Sequence, residues 1–132
     1  MRNSRAKEAK VRVLIADDDD LFAAALEALL ALDDRFRLVG RAHNGSRAIA
    51  LTNTLSPDVI LMDIDMPQTD GVQATKRIHA SHPRLAIVAV SGSDHYERAL
   101  EIRQAGATDY VRKSCVPEEL IPAIFAAIDK CS

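Results

Sequence analysis

VRVLIADDDDLFAAALEALLAL, residues 11–32, decides the fold. Its first six residues are a continuous apolar, β-branched run, the pattern of a strand buried on both faces. Four aspartates, Asp17 to Asp20, interrupt it. Leu21, Phe22, Ala25, Leu26, Leu29 and Leu30 then recur at helical spacing, so 21–32 reads as a helix with those residues on its apolar face. A doubly buried strand feeding a helix is the repeating unit of a parallel sheet.

The unit recurs four more times. FRLVGRA (36–42) is a second, more polar strand, with Phe36, Leu38 and Gly40 alternating. Asn44-Gly45-Ser46 offers turn and N-cap chemistry before the helix RAIALTNTL (47–55), and Ser56-Pro57 closes it. DVILM (58–62) is the third strand; a loop with Pro67 and Gly71 leads into the helix VQATKRIHA (72–80), ended by His82-Pro83. LAIVAV (85–90) is the fourth strand, and DHYERALEIRQA (94–105) a helix stopped by Gly106 in the C-terminal glycine position. TDYV (108–111) is a short fifth strand. PEELIPAIFAAI (117–128) opens with proline and two glutamates, a favourable helix start, though Pro122 is expected to shift that start or bend the first turn. Residues 1–10 read as a polar tail, 11–129 as one domain and 130–132 as its C-terminal end.

Five such repeats imply an α/β fold, a flavodoxin-like (βα)5 doubly wound sandwich. Strands one, three and four are the most uniformly apolar and belong in the centre; two and five belong at the edges. That places the five parallel strands in the order 2-1-3-4-5.

Composition narrows the function. The 132 residues suit one domain, with 48% apolar and 27% charged residues, a soluble globular balance. A formal net charge of −2 gives no general attraction to nucleic acid or acidic membranes. No apolar run approaches the roughly 20 residues that span a bilayer. The basic start lacks the apolar stretch and cleavage site of a secretory signal, so the expected address is the cytoplasm. Cys115 and Cys131 form no CxxC pair and adjoin no histidine cluster, which points away from zinc and redox chemistry. They read as idle thiols, Cys131 being open to cross-linking on storage.

In open parallel sheets, sites form beyond the carboxyl ends of the strands. Those ends carry Asp17 and Asp18, Asp63, Ser91 and Lys113. Singly, each has a plain structural use: an acidic run as a solvated turn or helix cap, Asp63 and Ser91 as loop and helix caps, Lys113 as a surface cation. Together they are chemically coherent. Three crowded carboxylates repel one another, and an oxygen-only ligand set favours Mg2+ or Mn2+ over zinc. A carboxylate nucleophile beside such a metal and a lysine is a workable phosphoryl-transfer centre.

IADDDDLF, DVILMDIDMP, AVSGS and DYVRK resemble the signature blocks of two-component response-regulator receiver domains, over about residues 11 to 129 and in the right order. VLIADDDDLF, RFRLVGRAHNG and LMDIDMPQTDG are most similar to receivers of the NarL/LuxR type. The resemblance implies a phosphorelay switch. Asp63 matches the phosphoryl acceptor, Asp18 the direct metal ligand, Asp17 the acidic residue acting through a metal-bound water, and the backbone carbonyl of Asp65 the remaining protein ligand. Ser91 matches the hydroxyl that bonds a phosphoryl oxygen, Gly92 a position kept small so that the phosphoryl group fits, Lys113 the cation that neutralises it, and Tyr110 the aromatic switch that turns inward as Ser91 moves. The implied partners are a sensor histidine kinase or histidine phosphotransfer protein, a downstream protein or output domain, and a second copy on phosphorylation. The expected change lies at the surface formed by the fourth helix, fifth strand and fifth helix. The resemblance also implies a domain that catalyses only its own phosphorylation and slow dephosphorylation.

The chain departs from the family in three places. Ser114-Cys115 follow the lysine where a proline is common. Asp65 is acidic where many members are neutral or basic, and its side chain is expected at the site entrance, altering phosphoryl lifetime or metal affinity. Asp19 and Asp20 replace a common His-Pro, which is expected to make the metal corner more acidic, favouring metal and weakening an empty site. NarL-type regulators normally continue into a helix-turn-helix domain. With no DNA-reading element here, no DNA binding by this chain is expected, whether it is a stand-alone receiver or part of a longer regulator. Two rivals remain. Asp63-Ile64-Asp65 spells the Asp-x-Asp of haloacid-dehalogenase-type phosphatases, but after the third strand instead of the first. A pseudo-receiver binding partners without phosphorylation would typically lack one of the site residues present here.

Overall fold

The strands pair as the hydropathy pattern requires, the most apolar ones innermost. In the computed structural model, residues 10–67, 71–92 and 96–132 are described. Five strands, β1 (Val11–Ala16), β2 (Phe36–Ala42), β3 (Val59–Asp63), β4 (Ala86–Ser91) and β5 (Asp109–Arg112), form one sheet of order β2-β1-β3-β4-β5. Every pairing is parallel. Among the described residues the helices are α1 (Asp20–Ala31), α2 (Gly45–Leu55), α3 (Gly71–Ser81), α4 (Tyr96–Ala105) and α5 (Val116–Cys131), with a 3-10 turn at Lys113–Cys115.

Because alternate strand residues point to opposite faces, the sheet divides two cores. Val13, Ile15, Leu61, Val88 and Val90 pack with Leu26 and Leu30 of α1 and Leu120 and Ile124 of α5. Leu14, Ile60, Met62, Ile87 and Ala89 pack with Ala48 of α2, Ala74 and Ile78 of α3 and Ile102 of α4. Both faces are covered, as a parallel sheet demands.

Several element ends differ from expectation for identifiable reasons. Asn44 caps α2 by accepting from the Arg47 amide at 2.8 Å, so that helix begins two residues earlier, at Gly45. Ser56 ends it in the left-handed region, with φ of 48°. Gly106 ends α4 with φ of 123°, and the Ala107 amide reaches back to the Ile102 carbonyl at 3.0 Å, the expected glycine stop. The α5 helix runs unbroken through Pro122, because that residue and Glu118, whose carbonyl loses its amide partner, both lie on the exposed side. It also continues to Cys131, beyond the domain end expected at 129. The apolar face of α1 is rotated from the one expected: Ala23 is buried, whereas Leu21 is 82% exposed and Ala25 also faces solvent. Residues 1–9 of the tail, and Asp94 and His95 at the expected start of α4, lie outside the described residues.

Arg12 ties the opposite end of the sheet together. Its guanidinium donates to the carbonyls of Leu55 and Ser56, both at 2.7 Å, while its amide donates to Asp58. The C-terminus of α2 is thus fastened to the first strand.

Candidate functional site

At the carboxyl ends of β1 and β3, two aspartates are almost wholly buried: Asp17 is 1% and Asp63 2% exposed. Each is positioned by backbone hydrogen bonds that its own strand dictates. Asp17 extends β1 through its amide to Ala42, and its carboxylate accepts from the Asp19 amide at 2.8 Å. Asp63 closes β3, and its Oδ1 accepts from the Asp65 amide at 2.9 Å. Carboxylate oxygens of Asp17, Asp18 and Asp63 lie within 4.8 Å of one another.

Lys113, just past β5, reaches across to this group. Its Nζ stands 3.5 Å from Asp63 Oδ2 and 3.6 Å from Asp17 Oδ2, and 4.5 Å from the centre of the Phe22 ring. The aromatic face and two carboxylates hold the ammonium by attraction from three sides. Burial is nevertheless the larger influence on Asp63. It drives the carboxyl up to about 7; the nearby charge and hydrogen bonding of Asp17 push the same way, against the Asp65 amide and Lys113. A carboxylate crowded this way is stabilised in its ionised form by added positive charge. Together with an all-oxygen donor set, that fits a hard divalent cation such as Mg2+ or Mn2+. Among the described residues, Asp17, Asp18 and Asp63 form a group able to hold one.

Ser91 ends β4 and is fully buried, beside the Asp63 strand, with Val90 opposite Asp63 in register. Its Oγ donates to Asp65 Oδ2 at 3.2 Å. A methyl group built at Gly92 would make only ordinary contact, 3.9 Å from Lys113 Cδ, so the position leaves room beside the lysine. Tyr110 of β5 is half-buried, on the face shared by α2, α3 and α4. Gly71 opens α3 directly against the end of β3: a β-carbon there would fall 2.3 Å from the Asp63 carbonyl oxygen and 2.5 Å from Ile64 Cα.

Two expectations about the acidic loop are corrected. Asp19 turns away from the carboxylate group and caps α1, accepting from the Leu21 and Phe22 amides at 3.0 and 3.2 Å. Asp20 pairs with Arg41 at 2.7 Å and approaches His43 at 3.7 Å. The additional charge is therefore directed to a helix end and to Arg41, outside the three-carboxylate group. Arg41, which also donates to the Asp17 carbonyl at 3.0 Å, is a neighbour that sequence reading did not single out. Arg98 is another: from α4 it donates to the Ile64 carbonyl at 2.8 Å and stands 3.4 Å from Asp65. Their sequence signal is only that of surface arginines in an edge strand and a helix.

Comparison with known proteins identifies the family. The family model of the response regulator receiver domain matches residues 13–125. The chain is similar to the response regulator GacA of Pseudomonas viridiflava, with 36% identity over 86% of this chain and 53% of that protein. It is also similar to the transcriptional regulatory protein DegU of Brevibacillus brevis, with 32% identity over 92% of this chain and 52% of that protein. Among solved structures, a LuxR-family two-component response regulator from Aurantimonas sp. SI85-9A1 superposes with a TM-score of 0.87 at 27% identity, covering 92% of this chain and 86% of that one. The chain spans about half the length of the curated relatives it matches.

Proposed function

The chain belongs to the response regulator receiver domain family, and we propose that within it Asp63 accepts a phosphoryl group from a phosphohistidine. The donor would be a sensor histidine kinase or a histidine phosphotransfer protein, and the process a two-component phosphorelay. The juxtaposition of Asp17, Asp18 and Asp63 with the Lys113 ammonium, at the ends of neighbouring strands, carries this reading.

The ionised Asp63 carboxylate attacks phosphorus in line; an oxygen–phosphorus bond forms, the donor's nitrogen–phosphorus bond breaks, and imidazole leaves. Lys113 lies where it offsets charge on Asp63 and on an incoming phosphoryl oxygen. The Ser91 hydroxyl, on the adjacent strand, bonds a second oxygen, and Gly92 leaves the space. A Mg2+ or Mn2+ ion held by Asp17, Asp18, Asp63 and the Asp65 backbone carbonyl would supply the remaining positive charge. Ser91 drawn toward the new phosphoryl group frees room for Tyr110 to turn inward, biasing the surface of α4, β5 and α5 toward a partner, an output domain or a second copy. The chain acts as a cytoplasmic signalling switch, catalysing only its own modification, and does not itself bind DNA. No helix among the described residues is long and apolar enough to cross a membrane.

The test is intact mass spectrometry after incubation with Mg2+ and acetyl phosphate, beside Asp63→Asn. One phosphoryl adduct, dependent on Mg2+ and lost in the variant, is expected. Folded protein that takes no adduct from acetyl phosphate or phosphoramidate would show a phosphorylation-independent binding module instead.

A further inference from the structure

Asp65, two residues beyond the acceptor, was expected at the site entrance. Its carboxylate instead lies on the donors at the end of β4. Oδ2 accepts from Ser91 Oγ at 3.2 Å and from the Gly92 amide at 3.3 Å. Oδ1 stands 3.4 Å from Arg98 Nη2, and that same nitrogen is anchored on the Ile64 carbonyl at 2.8 Å. Arg98 is steadied further by Glu101 one turn along α4, at 3.5 Å. An anion thus rests on a hydroxyl, an amide and a guanidinium contributed by β4, the following turn and α4.

We infer that Asp65 is an internal stand-in for the phosphoryl group, clasped by Arg98 onto Ser91 and Gly92, and that it must leave before the site accepts a phosphoryl group. This rests on the reading of Asp63 as acceptor and of Ser91 as a phosphoryl-binding hydroxyl. A carboxylate and a phosphoryl group are both anions that take hydrogen bonds from the same donors, so they compete for them. Like charge makes the exclusion mutual. The clasp therefore sets how readily the resting chain is modified. It also gives the incoming group a second consequence: Asp65 displaced from Ser91 gives up the Arg98 guanidinium of α4 as well, part of the surface expected to change.

The experiment compares wild type, Asp65→Ala and Arg98→Ala for the rate of Mg2+-dependent phosphorylation by acetyl phosphate. The Gly92 amide resonance is recorded in the metal-free chain. Alanine at 65 keeps the backbone carbonyl, and both side chains are partly solvated, at 41% and 33% exposure, so the fold is expected to survive. Removing a charged hydrogen-bond acceptor from the two donors should speed phosphorylation of Asp65→Ala by roughly tenfold. Arg98→Ala should also be faster, because Asp65 loses its holder. A purely electrostatic influence predicts the opposite for Arg98→Ala, since removing a cation would slow reaction with an anionic donor. The Gly92 amide should shift in both variants. No acceleration in Asp65→Ala, or a slower Arg98→Ala, overturns the clasp. If wild type takes no phosphoryl group, the reading of Asp63 falls and with it the competition argued here, while the Gly92 amide tests the contact separately: unmoved by Asp65→Ala, it overturns the clasp as well.

Discussion

Replacing Asp63 by asparagine should stabilise the metal-free chain, and by an amount that grows with pH. Burial and Asp17 raise the Asp63 carboxyl from 3.8 to about 7. The native state therefore holds a proton that the unfolded chain has released between those two values. Stability falls with pH wherever the native state binds more protons, so the loss accumulates from about pH 4 to pH 7. At about 1.4 kcal/mol per pH unit, the cost of the buried carboxyl is roughly 2 kcal/mol at pH 5 and roughly 4 kcal/mol above pH 7. Asparagine has nearly the same shape and carries no such penalty. Urea unfolding of both proteins in EDTA, at pH 5 and pH 8, measures the difference directly. With a slope of about 1–3 kcal/mol per molar for a domain this size, the pH 8 gain should move the midpoint by about 1 M or more. Millimolar Mg2+ should narrow the gap by stabilising wild type alone. A gain of equal size at both pH values would refute the reasoning, and so would an asparagine variant less stable at pH 8.

Three further outcomes follow from the same geometry. Lys113→Met removes the cation that holds Asp63 down, so the carboxyl should titrate above 7, as read by its carbon-13 shift, and acetyl phosphate labelling should slow. Asp19→Ala should cost about 1 kcal/mol, the worth of a helix N-cap, while leaving Mg2+ affinity by titration calorimetry within about twofold of wild type. Arg12→Ala strips a charged donor from two carbonyls at the end of α2 and should lower stability by about 1.5–3 kcal/mol in urea, with phosphorylation retained.

The fold was legible because its signal is repeated. Each central strand is a short apolar run, each helix is bounded by a cap or a breaker, and polarity alone separates β2 and β5 from the interior. The carboxylate group was legible for a related reason: parallel topology brings strand ends together whatever their distance in sequence, so Asp17 and Asp63 could be paired on paper. What escaped reading was local choice among equivalent charges. Four consecutive aspartates look alike in sequence, yet one caps a helix, one meets Arg41, and two face the site. Which does which depends on the turn between β1 and α1, and periodicity does not describe that turn. Leu21 failed in the same way, since a helix starting one residue earlier, capped by Asp19, carries its apolar stripe to Ala23. Asp65 and Arg98 meet only because α4 docks beside α3 and β5, a packing that no spacing encodes.

The contact between Gly71 and the Asp63 carbonyl has a mechanical consequence. With no side chain at Gly71, the first turn of α3 packs main chain to main chain on Asp63, so closely that even a methyl group there would collide with the Asp63 carbonyl and Ile64 Cα. On the other flank stand the Ser91 hydroxyl, Gly92, where an added methyl would meet nothing closer than 3.9 Å, and the half-buried Tyr110 ring. If Asp63 takes a phosphoryl group as proposed, a push generated there would meet the main chain of α3 on one flank and be passed toward Ser91, Gly92 and Tyr110 on the other. A residue with no functional group would then decide which surface of the protein carries the message.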